Sequence, residues 1–160
     1  MPAYLKLPSI DGEVEEKDHA KWIEVTSFSW GVHRSIAPDA RGAERRSGET
    51  QISEVVFTKE SDSAMPATMM AVASGKHLDE VELHLCSTIN NKNVTNIEYK
   101  FKDVIISSYS QSASSTGQPM ESFSINFTKV DFNYKAYDRM GEDAGNFPGL
   151  IDTEAANAQV

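Results

Sequence analysis

Apolar and polar residues alternate along most of this chain. The alternation is clearest in six segments, which are Tyr4–Leu7, Lys21–Ser35, Gln51–Lys59, Glu80–Thr88, Val94–Ala113 and Met120–Tyr137. Successive side chains of a β-strand point to opposite faces, so a period of two predicts strands. So many strand segments in one chain predict a mainly β protein, with an antiparallel sheet closed into a barrel or folded into a sandwich.

The segment Lys21–Ser35 is unusual because it contains both tryptophans and exceeds the length of an ordinary strand. Trp22, Phe28 and Trp30 fall on one face, and we predict that these large aromatic side chains pack in the core. Ser27 and Ser29 fall on the other face. A β-bulge would exchange the two faces partway along, so the sequence leaves open which face is inside.

One α-helix is predicted between the strands. The stretch "DSAMPATMMAVASGKHL" has Ser63 as a candidate N-cap, Pro66 near the first turn and Gly75 at a C-terminal cap position. Met65, Met69 and Met70 are interpreted as core-filling residues, because methionine adapts readily to irregular gaps. The fold prediction is therefore a β-barrel with one flanking helix.

Two segments show no periodicity. Ser35–Glu49 is a long loop that carries Arg41, Arg45 and Arg46 in an otherwise acidic chain, and a structureless loop of this length is usually functional or disordered. Residues 138–160 are rich in Gly, Ala, Asn and acidic residues. We interpret residues 1–137 as a β-barrel domain and residues 138–160 as a flexible acidic C-terminal tail.

The run Ser107–Gln118 is rich in serine. Two interpretations stay open for it, the flexible tip of a hairpin and a polar surface that contacts partners.

Charge and composition exclude several function classes. The chain has 160 residues and a formal net charge of −9, which argues against nucleic acid as a partner because phosphate binding needs a basic footprint. Cys86 is the single cysteine, so no intrachain disulfide is expected. The first residues lack the pattern of a signal peptide, and no apolar window approaches a membrane span. We expect synthesis in the cytoplasm and no membrane insertion.

Signals for catalysis are weak. The four histidines show no metal-binding spacing, and neither a complete phosphate-binding loop nor a G-x-S-x-G motif is present. His19 lies near Asp11, Glu13 and Asp18, but their spacing matches no calcium loop. We therefore predict a protein that is not an enzyme and that holds no metal or cofactor.

The motifs resemble those of the Hcp family, the haemolysin-coregulated proteins of bacterial type VI secretion. The matching stretches, spread over about 130 residues, are "YLKL", "IDGE", "DHAKWIEVTSFSWGV", "VVFTKESDSAMPATMMAVASGKHL", "VELHLC", "IEYKFKDVIISSYS" and "ESFSINFTKVDFNY". The loop Ser35–Glu49 departs from the glycine-rich family pattern, and the C-terminal tail is individual to this chain.

The resemblance implies a β-barrel subunit related to phage tail-tube proteins. Six copies would form a ring, and rings would stack into a hollow tube that works with a contractile sheath and a spike protein. It also implies that the tube carries small effector proteins and is secreted. Ser29 matches a family position that faces the channel, with Ser27 as its neighbour on the same face. The alternative at Ser29 is that it only packs under Trp30.

We also predict that Arg41, Arg45 and Arg46 form a ring-stacking loop that meets acidic groups of the next ring. Two other functions remain open from the sequence. One is a tail-tube protein of a phage-like particle. The other is a monomeric carbohydrate-binding β-sandwich module, or a small hydrolase, since two tryptophans on one strand can stack on sugars.

Overall fold

The computed structural model describes residues 1–39, 41–43 and 48–154 and, for the backbone, 157–159. These residues form twelve β-strands, one α-helix (α1, Met65–Ser74) and one turn of 3₁₀ helix at Lys17–His19. The strands are β1 Ala3–Lys6, β2 Ile23–Val25, β3 Ser27–Ser29, β4 Val32–Arg34, β5 Thr50–Ile52, β6 Val55–Glu60, β7 His77–Ile89, β8 Lys92–Ser112, β9 Met120–Asn126, β10 Lys129–Tyr137, β11 Asp143–Asp152 and β12 Asn157–Gln159.

Ten of these strands form one antiparallel sheet around the long strand β8. The first half of β8 pairs with β7 on one edge and β10 on the other, and its second half pairs with β9. The path continues from β7 through β1 to β2, from β9 through β6 to β3, and from β10 through β11 to β12. Strands β4 and β5 form a separate two-stranded ribbon.

The segment predicted as one long strand is divided into β2, β3 and β4. Ile23 and Val25 of β2 are buried, Thr26 and Ser27 are both exposed, and Phe28 and Trp30 then turn inward. Two consecutive exposed residues shift the alternation by one, which exchanges the inner and outer faces at this point. The break also changes the pairing partner, since β2 pairs with β1 and β3 pairs with β6.

A mainly β fold with one helix is confirmed, but the predicted closed barrel is not. The hydrogen-bonded path ends at β2 in one direction and at β3 in the other. The physical reason is the break at Thr26, which interrupts the strand that would join these two ends. The Thr26 N–H still donates to the Thr58 carbonyl of β6 at 2.8 Å.

The core lies under β1, β2 and the central parts of β6 to β10, where alternate residues are apolar. Its largest fully buried members include Leu5, Phe57, Phe101 and Phe123. Among the predicted core aromatics, Phe28 and Trp30 are half-buried and pack against this core.

Trp22 differs from that expectation, because it lies outside the core cluster. Its ring packs on His84 at 4.6 Å and edge-on to His19 at 4.8 Å.

Helix α1 differs from its prediction at two points. The N-cap position is Ala64 rather than Ser63, and Asp62 Oδ1 accepts the Ala64 N–H at 3.0 Å. Gly75 ends the helix as expected, with a φ of 64° that a glycine adopts without strain. Met69 and Met70 are exposed rather than core-filling, because Thr68 and Ala71 occupy the buried side.

The expectation of a flexible C-terminal tail is wrong for residues 143–152. These residues form β11, which pairs with β10 from Lys129↔Asp152 to Tyr137↔Asp143. Backbone hydrogen bonds along a neighbouring strand order a segment whose composition alone gives no strand signal. The division of the chain into two parts at residue 137 stays a prediction.

Candidate functional site

The two serines predicted to face a channel lie on strand β3. Ser27 and Ser29 are exposed, and Phe28 between them points to the core side. The register pairs Ser27 with Thr58 and Ser29 with Val56 of β6. These two serines are therefore the start of two rows that run across the neighbouring strands.

Both rows consist of small side chains on one face of β3, β6, β9 and β8. The first row is Ser27, Thr58, Ser122 and Ser110, and the second is Ser29, Val56, Ser124 and Ser108. We call these eight residues the serine face. Apart from Val56 they are all Ser or Thr, and no charged side chain interrupts either row. Such a surface is polar and uncharged and carries only small side chains.

Two hydroxyls of the second row, those of Ser108 and Ser124, are hydrogen-bonded within the sheet. A register shift between Ile106 and Ser108 leaves Ser107 as an extra residue. The buried Ser124 Oγ consequently contacts two hydroxyls, Ser107 Oγ at 2.8 Å and Ser108 Oγ at 2.6 Å. Neither contact involves a histidine or a carboxylate, so nothing in this geometry activates a nucleophile, and the arrangement suits a wall or a contact surface.

Beneath the serine face, the same strands hold a buried ionic network. Lys59 Nζ donates to Glu121 Oε2 at 2.6 Å and to Asp62 Oδ1 at 2.8 Å. The side chains of Lys59 and Glu121 are only 3% and 2% exposed. Tyr109 donates its hydroxyl hydrogen to Glu121, and burial together with this bond raises the pKa of Tyr109. The network ties β6, β8 and β9 to the start of α1.

Two strand edges flanking the serine face have no partner among the described residues. Strand β3 pairs with β6 along one edge, and no pairing is found along the other. Strand β8 pairs with β7 as far as Ile105, and that same edge continues without a partner from residue 106 to residue 112. The four strands of the serine face thus form a sheet segment that is open on both sides.

A second cluster of titratable groups lies around β1, β7 and the 3₁₀ turn. His19, which is buried, shares a hydrogen bond with His84 between Nε2 and Nδ1 at 2.9 Å and a second one with Glu16. Tyr4 stacks on His19 at 4.6 Å.

Burial and the nearby cations lower the pKa of His84 to about 4, against the opposing effect of Glu98. Among the described residues, no group of three or more His, Cys, Asp and Glu side chains has a metal-binding geometry.

The loop arginines can be located only in part. Arg41 is exposed, whereas Arg45 and Arg46 lie outside the described residues. The loop is carried by the ribbon β4–β5, which continues the β3–β6 pair through mutual hydrogen bonds of Gly31 and Ser53.

Acidic groups line a cleft elsewhere on the same chain. The cleft has a volume of about 620 Å³ and is lined in part by Glu13, Glu24, Glu60 and Asp62.

The tryptophans do not form a sugar-binding platform. Trp22 packs on the two histidines, and Trp30 packs edge-on to Phe101 and Phe127 at 6.2 and 6.1 Å. Each tryptophan ring packs against other residues, so the two rings do not form a shared surface for a sugar. None of the helices in the described part of the chain is both long and apolar enough to cross a bilayer.

The sequence identified two members of the serine face and missed the rest. Ser122 and Ser124 alternate with Phe123 and Ile125, so their strand was predicted. The sequence does not predict the register that brings them into the same rows as Ser27 and Ser29. Of the serine-rich run, Ser107–Ser112 lies in β8, and residues 113–119 connect β8 to β9.

Comparison with known proteins identifies the family that this chain matches. The model of the family described as "Type VI secretion system effector, Hcp" matches residues 4–134. Protein hcp1 of Pseudomonas aeruginosa (strain PAO1) is 29% identical over 133 residues, which cover 82% of each chain.

Solved structures agree with this match. One described as a type six secretion system protein superposes with a TM-score of 0.91 at 28% identity, over 99% of both chains. Hcp1 from Salmonella typhimurium gives a TM-score of 0.79 at 25% identity, over 98% of this chain and 97% of that one.

Proposed function

Because this chain belongs to the Hcp family of type VI secretion, we propose that it is a tube subunit whose six copies form a ring, with the serine face lining the channel. Hexameric rings are known for this family. The observation that carries the proposal is the serine face itself, an uncharged surface of small side chains on a sheet segment that is open on both sides.

Ring closure follows from the two open edges. An unpaired strand edge presents backbone N–H and C=O groups that readily pair with another chain. Pairing β3 of one copy with residues 106–112 of β8 in the next would satisfy both edges. Because the two edges are different surfaces, the contact is head-to-tail, and a suitable rotation closes it into a ring. The serine faces would then join into one continuous inner wall.

The same proposal includes a closed barrel within each subunit. The hydrogen bond from Thr26 to Thr58 supports it, because it lies where the chain passes from β2 to β3. We infer that residues 23–29 act as one bent strand that pairs first with β1 and then with β6. Its bend would exchange the faces, with Ile23 and Val25 inward at one end and Ser27 and Ser29 facing the channel at the other.

The serine face suits the transport of varied proteins. Hydroxyls that are already hydrogen-bonded within the sheet, such as those of Ser108 and Ser124, bind a passing surface only weakly. The absence of charge in the two rows avoids strong attachment to a cargo of either sign. We propose that Ser27 and Ser29 contact effector proteins held in the ring, and that the tube is secreted. Its proposed partners are a contractile sheath and a spike protein.

The subunit surface can be tested without knowing the cargo. In a Cys86→Ala background, native mass spectrometry of Ser29→Cys should show a six-subunit ring. A small maleimide should label every subunit. A bulky polymer-linked maleimide should label only some, because attached polymers fill the channel.

The matched control is Lys100→Cys, at an exposed position of β8 outside the serine face. It should accept the bulky reagent on every subunit. A monomer in the mass spectrum would refute the ring, and full bulky labelling at position 29 would refute the channel position.

The arginine loop is proposed to stack one ring on the next. The acidic cleft lined by Glu13, Glu24 and Glu60 has a charge opposite to that of a basic loop. Exposed ion pairs contribute only about 0–1 kcal/mol each, so stacking would depend on repetition around the ring and would weaken with salt.

Reversing two loop charges should separate stacking from ring formation. Arg45→Glu together with Arg46→Glu is expected to abolish tubes seen by electron microscopy at low salt, while rings persist in native mass spectrometry. Replacing both residues with Lys keeps the charge and should retain the tubes. Unchanged tubes in the Glu variant would show that the loop charges do not stack the rings.

A further inference from the structure

Helix α1 has an outer side without any charged residue. Its sequence, MPATMMAVAS, contains no Asp, Glu, Lys or Arg. Thr68 and Ala71 face the protein interior, whereas Met70 is 70% exposed and Met69 is exposed beside it. A helix that is apolar on all sides is normally buried on all sides. The outer side of α1 therefore has the composition of a covered surface.

The ribbon β4–β5 is a second part of the chain with exposed apolar residues. It has only two strands, and such a hairpin is at best marginally stable by itself in water. On one side it carries Val32 and, just beyond β4, Ile36, and both are exposed large apolar residues. Ile52, across from Val32, already packs against the core. The outer part of the ribbon thus presents apolar surface to solvent.

The sheet places these two surfaces at opposite edges of the serine face. The ribbon continues the β3–β6 pair, so it stands on the β3 side. Helix α1 packs against β8 and leads into β7. The first residue of β7, His77, pairs with Ile105 on the edge of β8 that continues unpaired from residue 106. Within one chain the two apolar surfaces lie on different sides and cannot cover each other.

We propose that the ribbon of one copy covers the outer side of α1 in the next copy of the same ring, with Val32 and Ile36 against Met69 and Met70. This inference rests on the proposed ring, in which the β3 edge of one copy meets the β8 edge of its neighbour. That contact brings the ribbon of the first copy to α1 of the second. The loop tip beyond the ribbon remains available for the next ring.

Disulfide trapping tests this contact directly. In the Cys86→Ala background, Met70→Cys is combined with Val32→Cys or with Ile36→Cys and the ring is oxidised. At least one pair should give a ladder of covalent multimers up to the full ring on a non-reducing gel. The control pair is Met70→Cys with Phe147→Cys, two exposed apolar positions that the proposal does not bring into contact. It should run as a monomer on the same gel.

A second variant guards against unfavourable disulfide geometry. Met70→Glu should raise the subunit concentration at which the ring dissociates by at least about tenfold, because it puts a charge into an apolar contact. Met140 is 63% exposed, and Met140→Glu should change that concentration by no more than about twofold. Native mass spectrometry over a dilution series measures both.

The outcomes separate the contact from the ring. Intact parent rings with no ladder and an unaffected Met70→Glu variant would overturn the α1–ribbon contact and leave the tube subunit standing. A ladder only in the Phe147 pair would also overturn the contact. A parent protein that forms no ring would overturn both.

Discussion

Replacing Lys59 with Met is expected to lower the free energy of unfolding by about 3–5 kcal/mol, because it leaves a buried carboxylate without its cation. Glu121 is 2% exposed, and of its two side-chain donors among the described residues it keeps the Tyr109 hydroxyl after the change. Asp62 also loses its partner, and with it one support of the chain entering α1.

The matched control is the ion pair Lys102–Asp131, which has a similar length of 3.0 Å but side chains 39% and 37% exposed. Lys102→Met should cost no more than about 1 kcal/mol. Urea denaturation at one fixed subunit concentration compares the variants, since unfolding of an oligomer depends on concentration. Equal losses for Lys59→Met and Lys102→Met would contradict the prediction.

A double variant distinguishes the cost of an unpaired buried charge from the net contribution of the ion pair. Lys59→Met with Glu121→Leu removes both charges and should recover a large part of the loss, since apolar replacement of a buried pair is often close to neutral. Recovery would stay incomplete, because Tyr109 and Asp62 keep polar groups without their former partners.

Lowering the pH from about 6.5 to about 4 is expected to remove about 3 kcal/mol of stability through His84 alone. The folded pKa of His84 is about 4, below the ordinary 6.5. Between these values the unfolded chain binds a proton that the folded protein does not. Stability therefore falls as the pH falls across this window and stops falling, for this group, below the folded pKa.

Several groups around His84 set this behaviour. Burial is the largest cause of its low pKa, and His19, Lys135 and Lys100 add to it, while Glu98 opposes it. Glu82 lies 3.7 Å from His84 Nε2.

The pKa of the neighbouring Glu16 is lowered from its ordinary value of 4.5. Burial by itself would raise the pKa of Glu16, but the hydrogen bonds from His19 and the Asp18 backbone lower it overall. Its contribution is lost at still lower pH, below the ordinary value of 4.5. The range between about pH 6.5 and 4.5 therefore reports mainly on His84.

The His84→Gln variant tests this assignment. A neutral amide does not titrate, so the slope of unfolding free energy against pH between about 6.5 and 4.5 should flatten. His33→Gln, at an exposed position of the ribbon, should keep the slope of the parent protein. Urea denaturation at several pH values measures all three proteins, and an unchanged slope in His84→Gln would refute the assignment.

Some features of the fold could be predicted because they depend on local pattern. The alternation predicted nearly every long strand, and Gly75 predicted the end of α1. The strand β11 could not be predicted, because "DAGNFPGLID" contains Pro148 and two glycines and is ordered by its pairing with β10. The exposure of Met69 and Met70 was likewise missed, since apolar composition alone does not distinguish a buried helix side from an exposed one.

The sequence by itself determined the mainly β character, the acidic charge and the family, because alternation, composition and ordered motifs are properties of the linear chain. Only the tertiary structure decided how the residues combine. The shift at Thr26 turned Ser27 and Ser29 outward, and the register across β3, β6, β9 and β8 assembled the serine face. Both depend on which strands pair and in what register, and such long-range pairing is fixed by the folded chain rather than by any local stretch of it.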